Sequence, residues 1–160
     1  MQRNYIPALA VAIGVVAGLR PMTAPAVIAW AAERRWIRLG NSPLATMISA
    51  RASRRITEFA ISELIADKLP FTPSRLNAGP LALRIVSGAI CGAAVSGVVK
   101  RPLAEGAALG GLGAIAGAVG GYHARTSLSR GMPNFALAVL EDTLAIGGGV
   151  IVAALTAAAD

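Results

Sequence analysis

Six charged side chains stand in apolar company along this chain. Arg20 follows "VAIGVVAGL" and is followed at once by Pro21. Glu63 and Asp67 lie in "ITEFAISELIADKLP", Arg84 near the start of another apolar run, and Glu141 and Asp142 inside "LEDTLAIGGG". A charge at the centre of a membrane helix costs roughly 2.5–3.5 kcal/mol, so such residues usually mark an ion pair or an ion or proton pathway. Glu63 and Asp67 are four apart and share a helix face. Glu141 and Asp142 point about 100° apart on a helix. At least one must therefore face the protein interior, paired with an arginine or protonated. Arg84 has a cheaper reading, since near a helix end its stem can carry the charge to the headgroups.

The chemistry these residues support is binding rather than catalysis. Arg20 is expected to meet an anionic group or a coupling carboxylate. Glu63, Asp67, Glu141 and Asp142 are candidate ion or proton sites. Tyr122 and His123, in "GGYHAR", are expected to line the same polar site, with His123 as a titrating partner. One histidine and one cysteine give no nucleophile–base arrangement, so no catalytic residue and no enzyme is read. Carboxylates without supporting histidines are not read as a metal site, and no cofactor is expected.

These residues need elements to hold them, and composition says which. Of the 160 residues, 55% are hydrophobic and only 14% charged. Soluble domains carry about 25% charge, so this chain lacks the polar groups to cover its own surface. Aromatic residues are scarce at 4%, whereas glycine and alanine abound, a composition suited to helices packed closely in lipid. The net charge of +7 is carried mostly by arginines between apolar runs. That pattern fits loop charge beside a membrane, not a nucleic-acid surface.

About 20 apolar residues cross a bilayer core. By that measure five segments are expected: about 5–32, 56–70, 81–99, 103–122 and 133–158. The first is long enough to need a break at Arg20-Pro21 and is read as a retained helix, not a cleaved signal. After it comes "ERRWIRLGNSPLATMISARASRR", with six arginines, Trp30 and Trp36 near the headgroups, and a short interfacial helix expected over 44–55. The connections hold eight basic residues on one side and five on the other. This predicts a multi-pass inner-membrane protein with the N-terminus outside and the C-terminus cytoplasmic.

Two further patterns concern packing. Gly88 and Gly92, Gly106 and Gly110, and Gly113 and Gly117 are each four apart, giving stripes without side chains where backbones can approach. The stripes serve contact within one chain or between copies, so a homo-oligomer is one expectation. In addition, "IGVVAGLRPMT" (13–23) aligns with "AGAVGGYHART" (116–126), and "LIADKL" (64–69) with "VLEDTL" (139–144). Halves 5–70 and 103–158 would then form an inverted repeat around the linking segment 81–99. The first and fourth helices would both be broken, at Gly18 and Pro21 and at Gly120 and Gly121.

The stretches "AGLRPMTAPAVIAW", "SELIADKLPFTPSRL", "LALRIVSGAICGA" and "LEDTLAIGGG" resemble an uncharacterised family of small bacterial integral membrane proteins, a domain of unknown function. The resemblance covers nearly the whole chain and implies fold and membrane location only. Pro21 stands where serine is common in that family. The expected protein is all-α and polytopic, a single integral membrane domain in the lipid bilayer. It is expected to act as a transporter or channel for a small ion or anionic solute. The alternative is a non-transporting scaffold or oligomeric packing protein whose buried charges are struts.

Overall fold

Pro21 ends the first helix. It has no backbone N–H and disfavours the helical conformation in the residue before it. Arg20 accordingly takes extended angles, φ −142° and ψ 97°. The computed structural model, which describes residues 5–39, 50–66, 78–129 and 131–159, divides the segment into α1 (Ile6–Leu19) and α2 (Thr23–Glu33). Four more helices follow: α3 (Ala50–Ala66), α4 (Ala78–Val98), α5 (Leu103–Leu128) and α6 (Asn134–Ala157). There is no strand among the described residues.

The break reverses the chain. Val16 of α1 lies against Gly148 of α6, and Val27 of α2 lies against Gly149 beside it. Residues before and after the break thus meet α6 at the same level. The two helices form a hairpin whose tip is Arg20–Met22. At 1.5 Å per residue, α1 is about 21 Å long and α2 about 16 Å, both short of a bilayer core of about 30 Å. The tip meets the other helices along their length rather than at their ends: Arg84 and Ser87 on α4, Gly117 and Ala118 on α5, and Asp142 on α6.

Glycine contacts fix the directions of the longer helices. Val11 and Val15 of α1 lie at Gly113 and Gly117, so α1 and α5 run the same way. Gly88 and Gly92 lie at Gly110 and Gly106, so α4 and α5 run oppositely. Asp142 meets the tip while Gly148 meets Val16, so α6 opposes α1. One end of the bundle therefore gathers the start of α1 and the ends of α2, α4 and α6.

Helices α4, α5 and α6 have 21, 26 and 24 residues and are long and apolar enough to cross a membrane. Leu112, Ile115, Phe135, Leu144 and Ile151 are exposed on the outer faces of α5 and α6. An apolar surface of this kind belongs in lipid. Where α2 emerges, Trp30 and Trp36 meet edge-on at 4.8 Å, and the Arg34 guanidinium lies 5.3 Å from the Trp30 ring. Amphipathic rings of this sort suit the headgroup level.

Four expectations change. Among the described residues, three of the five expected spans are helices of crossing length. The first segment folds back on itself, and α3 is a 17-residue helix with exposed Arg54, Arg55 and Glu58. The helix expected over 44–55 is, from Ala50 onward, the first part of α3; residues 44–49 lie outside the described residues. The fourth-helix break at Gly120 and Gly121 does not occur, because α5 continues to Leu128. Glycine costs a helix only about 1 kcal/mol and keeps its N–H, whereas proline loses it. Finally, the first helices of the two aligned halves, α1 and α5, run parallel, so they are not related by inversion.

Candidate functional site

The hairpin tip exposes backbone groups that helices normally satisfy, and α4 answers them. Arg84 Nε donates to the Gly18 carbonyl at 3.0 Å, and its NH1 donates to Pro80 O at 3.1 Å. Ser87 Oγ donates to the Pro21 carbonyl. Arg84 and Ser87 are three apart and so share one helix face. Irregular backbone at membrane depth is tolerated where protein satisfies it, as here. Arg84 is 5% exposed and does not reach towards headgroups as expected. Replacing Ser87 by alanine should cost about 1–3 kcal/mol, the penalty for stranding a buried carbonyl. Ser62→Ala on exposed α3 should change stability by less than about 0.5 kcal/mol. Unfolding both in detergent checks this; equal midpoints would mean that Ser87 does not hold the tip.

Arg20 lies at the tip with 0% exposure, and its guanidinium is 2.5 Å from Asp142 Oδ1 on α6. Asp142 retains 15% side-chain exposure. Its neighbour Glu141 turns the other way and pairs with Arg125 of α5 at 3.2 Å. The two adjacent acids thus serve two different arginines on two different helices. Between α5 and α6, with Val15 and Leu19 of α1 at its base, runs a cavity of about 270 Å³. Leu137, Leu140 and Leu144 line it, and Arg125 and Glu141 border it.

The remaining expected site residues divide. Gly18 packs against Ala114, Gly117 and Ala118, and Gly121 is buried. Gly120 faces open space. Tyr122 and His123 do not join Arg20: both are exposed, meeting each other edge-on at 5.5 Å. The buried face of α5 follows Gly113, Gly117 and Gly121, and the next residue at that spacing is Arg125, not His123. Glu63 falls on α3, its side chain outside the described residues, and Asp67 lies outside them altogether. Among the described residues, no group of three or more His, Cys, Asp or Glu side chains could hold a metal. Gly88, Gly92, Gly106, Gly110, Gly113 and Gly117 all form contacts within the chain, joining α1, α4 and α5.

Comparison with curated proteins and with solved structures returned no match. The hairpin tip, its arginine and the carboxylates of α6 all fall within residues 8–159, the stretch matched by the family model of a domain of unknown function, DUF4126, and the chain belongs to that family.

Proposed function

We propose that this membrane protein is a transporter or channel for a small ion or anionic solute, with Arg20 and Asp142 as its polar site. The observation that carries this reading is a fully buried arginine at the tip of a broken helix, facing a carboxylate on a separate crossing helix. Broken helices that meet near mid-membrane are a recurring means of building a solute site. The pair is closed in this conformation, and the α5–α6 cavity is lined by Leu19 and Glu141, their neighbours along the chain. In liposomes, the wild type is expected to give solute- or pH-driven flux that Arg20→Ala and Asp142→Asn abolish. Unchanged flux in both variants would remove these residues from the path.

One observation favours a second reading. Arg20 is completely enclosed, and buried ion pairs can orient a bundle without moving anything. On that reading the wild type gives no flux, and both variants lose stability in detergent. The glycine seams of α1, α4 and α5 are contacts within one chain.

Orientation follows from the hairpin. Because the first segment returns to the side it entered, both ends of the described chain share a side. Arg34, Arg35, Arg38, Lys100 and Arg101 gather there, while α5 carries Arg125 towards the other end. Positive loops face the cytoplasm, so we infer an inner-membrane protein with both ends cytoplasmic, in place of the N-outside arrangement. In a Cys91→Ala background, Ser129→Cys should react with an impermeant thiol reagent on intact cells, and Glu33→Cys only after permeabilisation. The reverse pattern would overturn this orientation.

A further inference from the structure

We propose that the groove between α5 and α6 is a lipid site: one acyl chain of a phospholipid lies in it, and Arg125 holds the phosphodiester of that lipid. The two walls of the groove are unlike. On α6, Leu137, Leu140 and Leu144 recur at helical spacing and share one face. On α5 the wall is Ala116, Gly120, Gly121 and Ala124, residues with a methyl group or no side chain. Large side chains opposite small ones normally interdigitate and close such a gap. Here Val15 and Leu19 of α1 form a floor beneath both helices, and about 270 Å³ stays open. A Cβ at Gly120 would meet nothing within 4 Å.

The surroundings decide what fills it. An unfilled apolar cavity costs stability, and water settles only where polar partners hold it. Leu128, Leu140 and Leu144 are also exposed on the outside of the bundle, so the groove opens sideways towards lipid. Its wall on α5 runs from Ala116 to Leu128, about 18 Å at 1.5 Å per residue, and one leaflet of the hydrocarbon core is about 15 Å deep. A chain entering from that leaflet thus finds wall along its whole depth. A helix from another protein, about 10–12 Å across, is too bulky for this space, whereas a single acyl chain is not.

Charge marks the place of the headgroup. Arg125 lies in the last turn of α5 and borders the groove. Its NH2 pairs with Glu141 at 3.2 Å, and the arginine side chain is 33% exposed against 11% for the carboxylate. The pair therefore turns its cation outwards and its anion inwards. A guanidinium has five N–H donors in a planar fork and matches phosphate oxygens in pairs. Arg125 can hold Glu141 with one edge and a phosphodiester with another.

The test uses the full chain, stripped of lipid in a mild non-ionic detergent, and phosphatidylglycerol with a photoreactive diazirine on its acyl chain. Native mass spectrometry is expected to show one lipid retained per chain, with crosslinks on the stretches 116–128 and 137–144. Gly120→Leu puts a side chain into the open groove and should remove those crosslinks at an unchanged unfolding midpoint. Gly147→Leu, at an equally open glycine of α6 outside the groove, should leave them. Arg125→Gln should weaken retention about tenfold, the worth of one hydrogen bond to a charged group, and Arg125→Lys should restore part of it. Diacylglycerol with the same chains lacks the phosphate and should bind the wild type about tenfold more weakly, with no further loss in Arg125→Gln. That comparison of two lipids on the wild type depends on no variant folding. Crosslinks spread evenly over the outer faces of α5 and α6 would overturn the proposal, as would diacylglycerol bound as tightly as phosphatidylglycerol. So would a dimer that excludes the lipid and that Gly120→Leu dissociates, since a second copy would then cover the groove.

Discussion

Gly110→Ala is expected to lose about 3 kcal/mol or more of stability, the upper range for overpacking a tight core, and Gly110→Leu to prevent assembly. Three backbones converge on this residue. A Cβ at Gly110 would overlap the Gly88 carbonyl and lie 3.0 Å from the Gly92 Cα. The Gly110 carbonyl in turn occupies the space that a Cβ on Gly14 or Gly88 would need. The obstacle is helix backbone, not the end of a flexible side chain, so it cannot swing aside. Lipid offers no hydrophobic gain for joining helices, and close contact of this kind supplies the attraction. The same methyl at Gly120 or Gly147, which face open space, should stabilise by up to about 1 kcal/mol through helix propensity. Thermal unfolding of the three variants in one detergent gives the comparison. Equal midpoints for Gly110→Ala and Gly120→Ala would remove Gly110 from the seat of the hairpin.

The glycine spacing was readable because helical contact in lipid leaves a period of four, and Gly88, Gly92, Gly106 and Gly110 keep it. The break at Pro21 was readable for an equally local reason, the missing N–H. Its outcome was not. A proline signals an interruption whether the chain kinks onward or turns back, and the turn is held by Arg84 and Ser87, each 66 positions from its acceptor. No local pattern contains that information. The sidedness inferred for the chain depends on that outcome, since a hairpin and a span differ by one crossing.

Phase explains the mixed result at the polar site. Adjacent acids on a helix had to diverge, and Glu141 and Asp142 do so, each to its own arginine. For α5, the repeat alignment drew attention to Tyr122 and His123, whereas the glycine face, continued by four, leads to Arg125. The alignment also equated Gly120-Gly121 with a proline break. Glycine tolerates a helix that packing supports, and α5 is packed by α1 and α4 over most of its inner face.

The ion pair at the tip yields the sharpest energetic prediction. Asp142→Leu should cost about 3–5 kcal/mol, because it leaves a guanidinium buried without its carboxylate. Arg20→Met should cost less, since an abandoned carboxyl can take a proton and an abandoned guanidinium cannot shed one. The double variant Arg20→Met/Asp142→Leu should be more stable than Asp142→Leu alone, because replacing both members of a buried pair with apolar groups is often close to neutral. Denaturant titrations in mixed micelles of the wild type, both single variants and the double close a cycle whose coupling should reach several kcal/mol for groups in contact. If the single costs simply add, Arg20 and Asp142 do not hold each other, and the tip is kept in place by Arg84 and Ser87 instead. If the coupling is large, the double variant becomes the informative protein for transport. It would keep the bundle while removing the charges, so flux lost from a stable double variant would mark the pair as the path itself rather than a strut beside it.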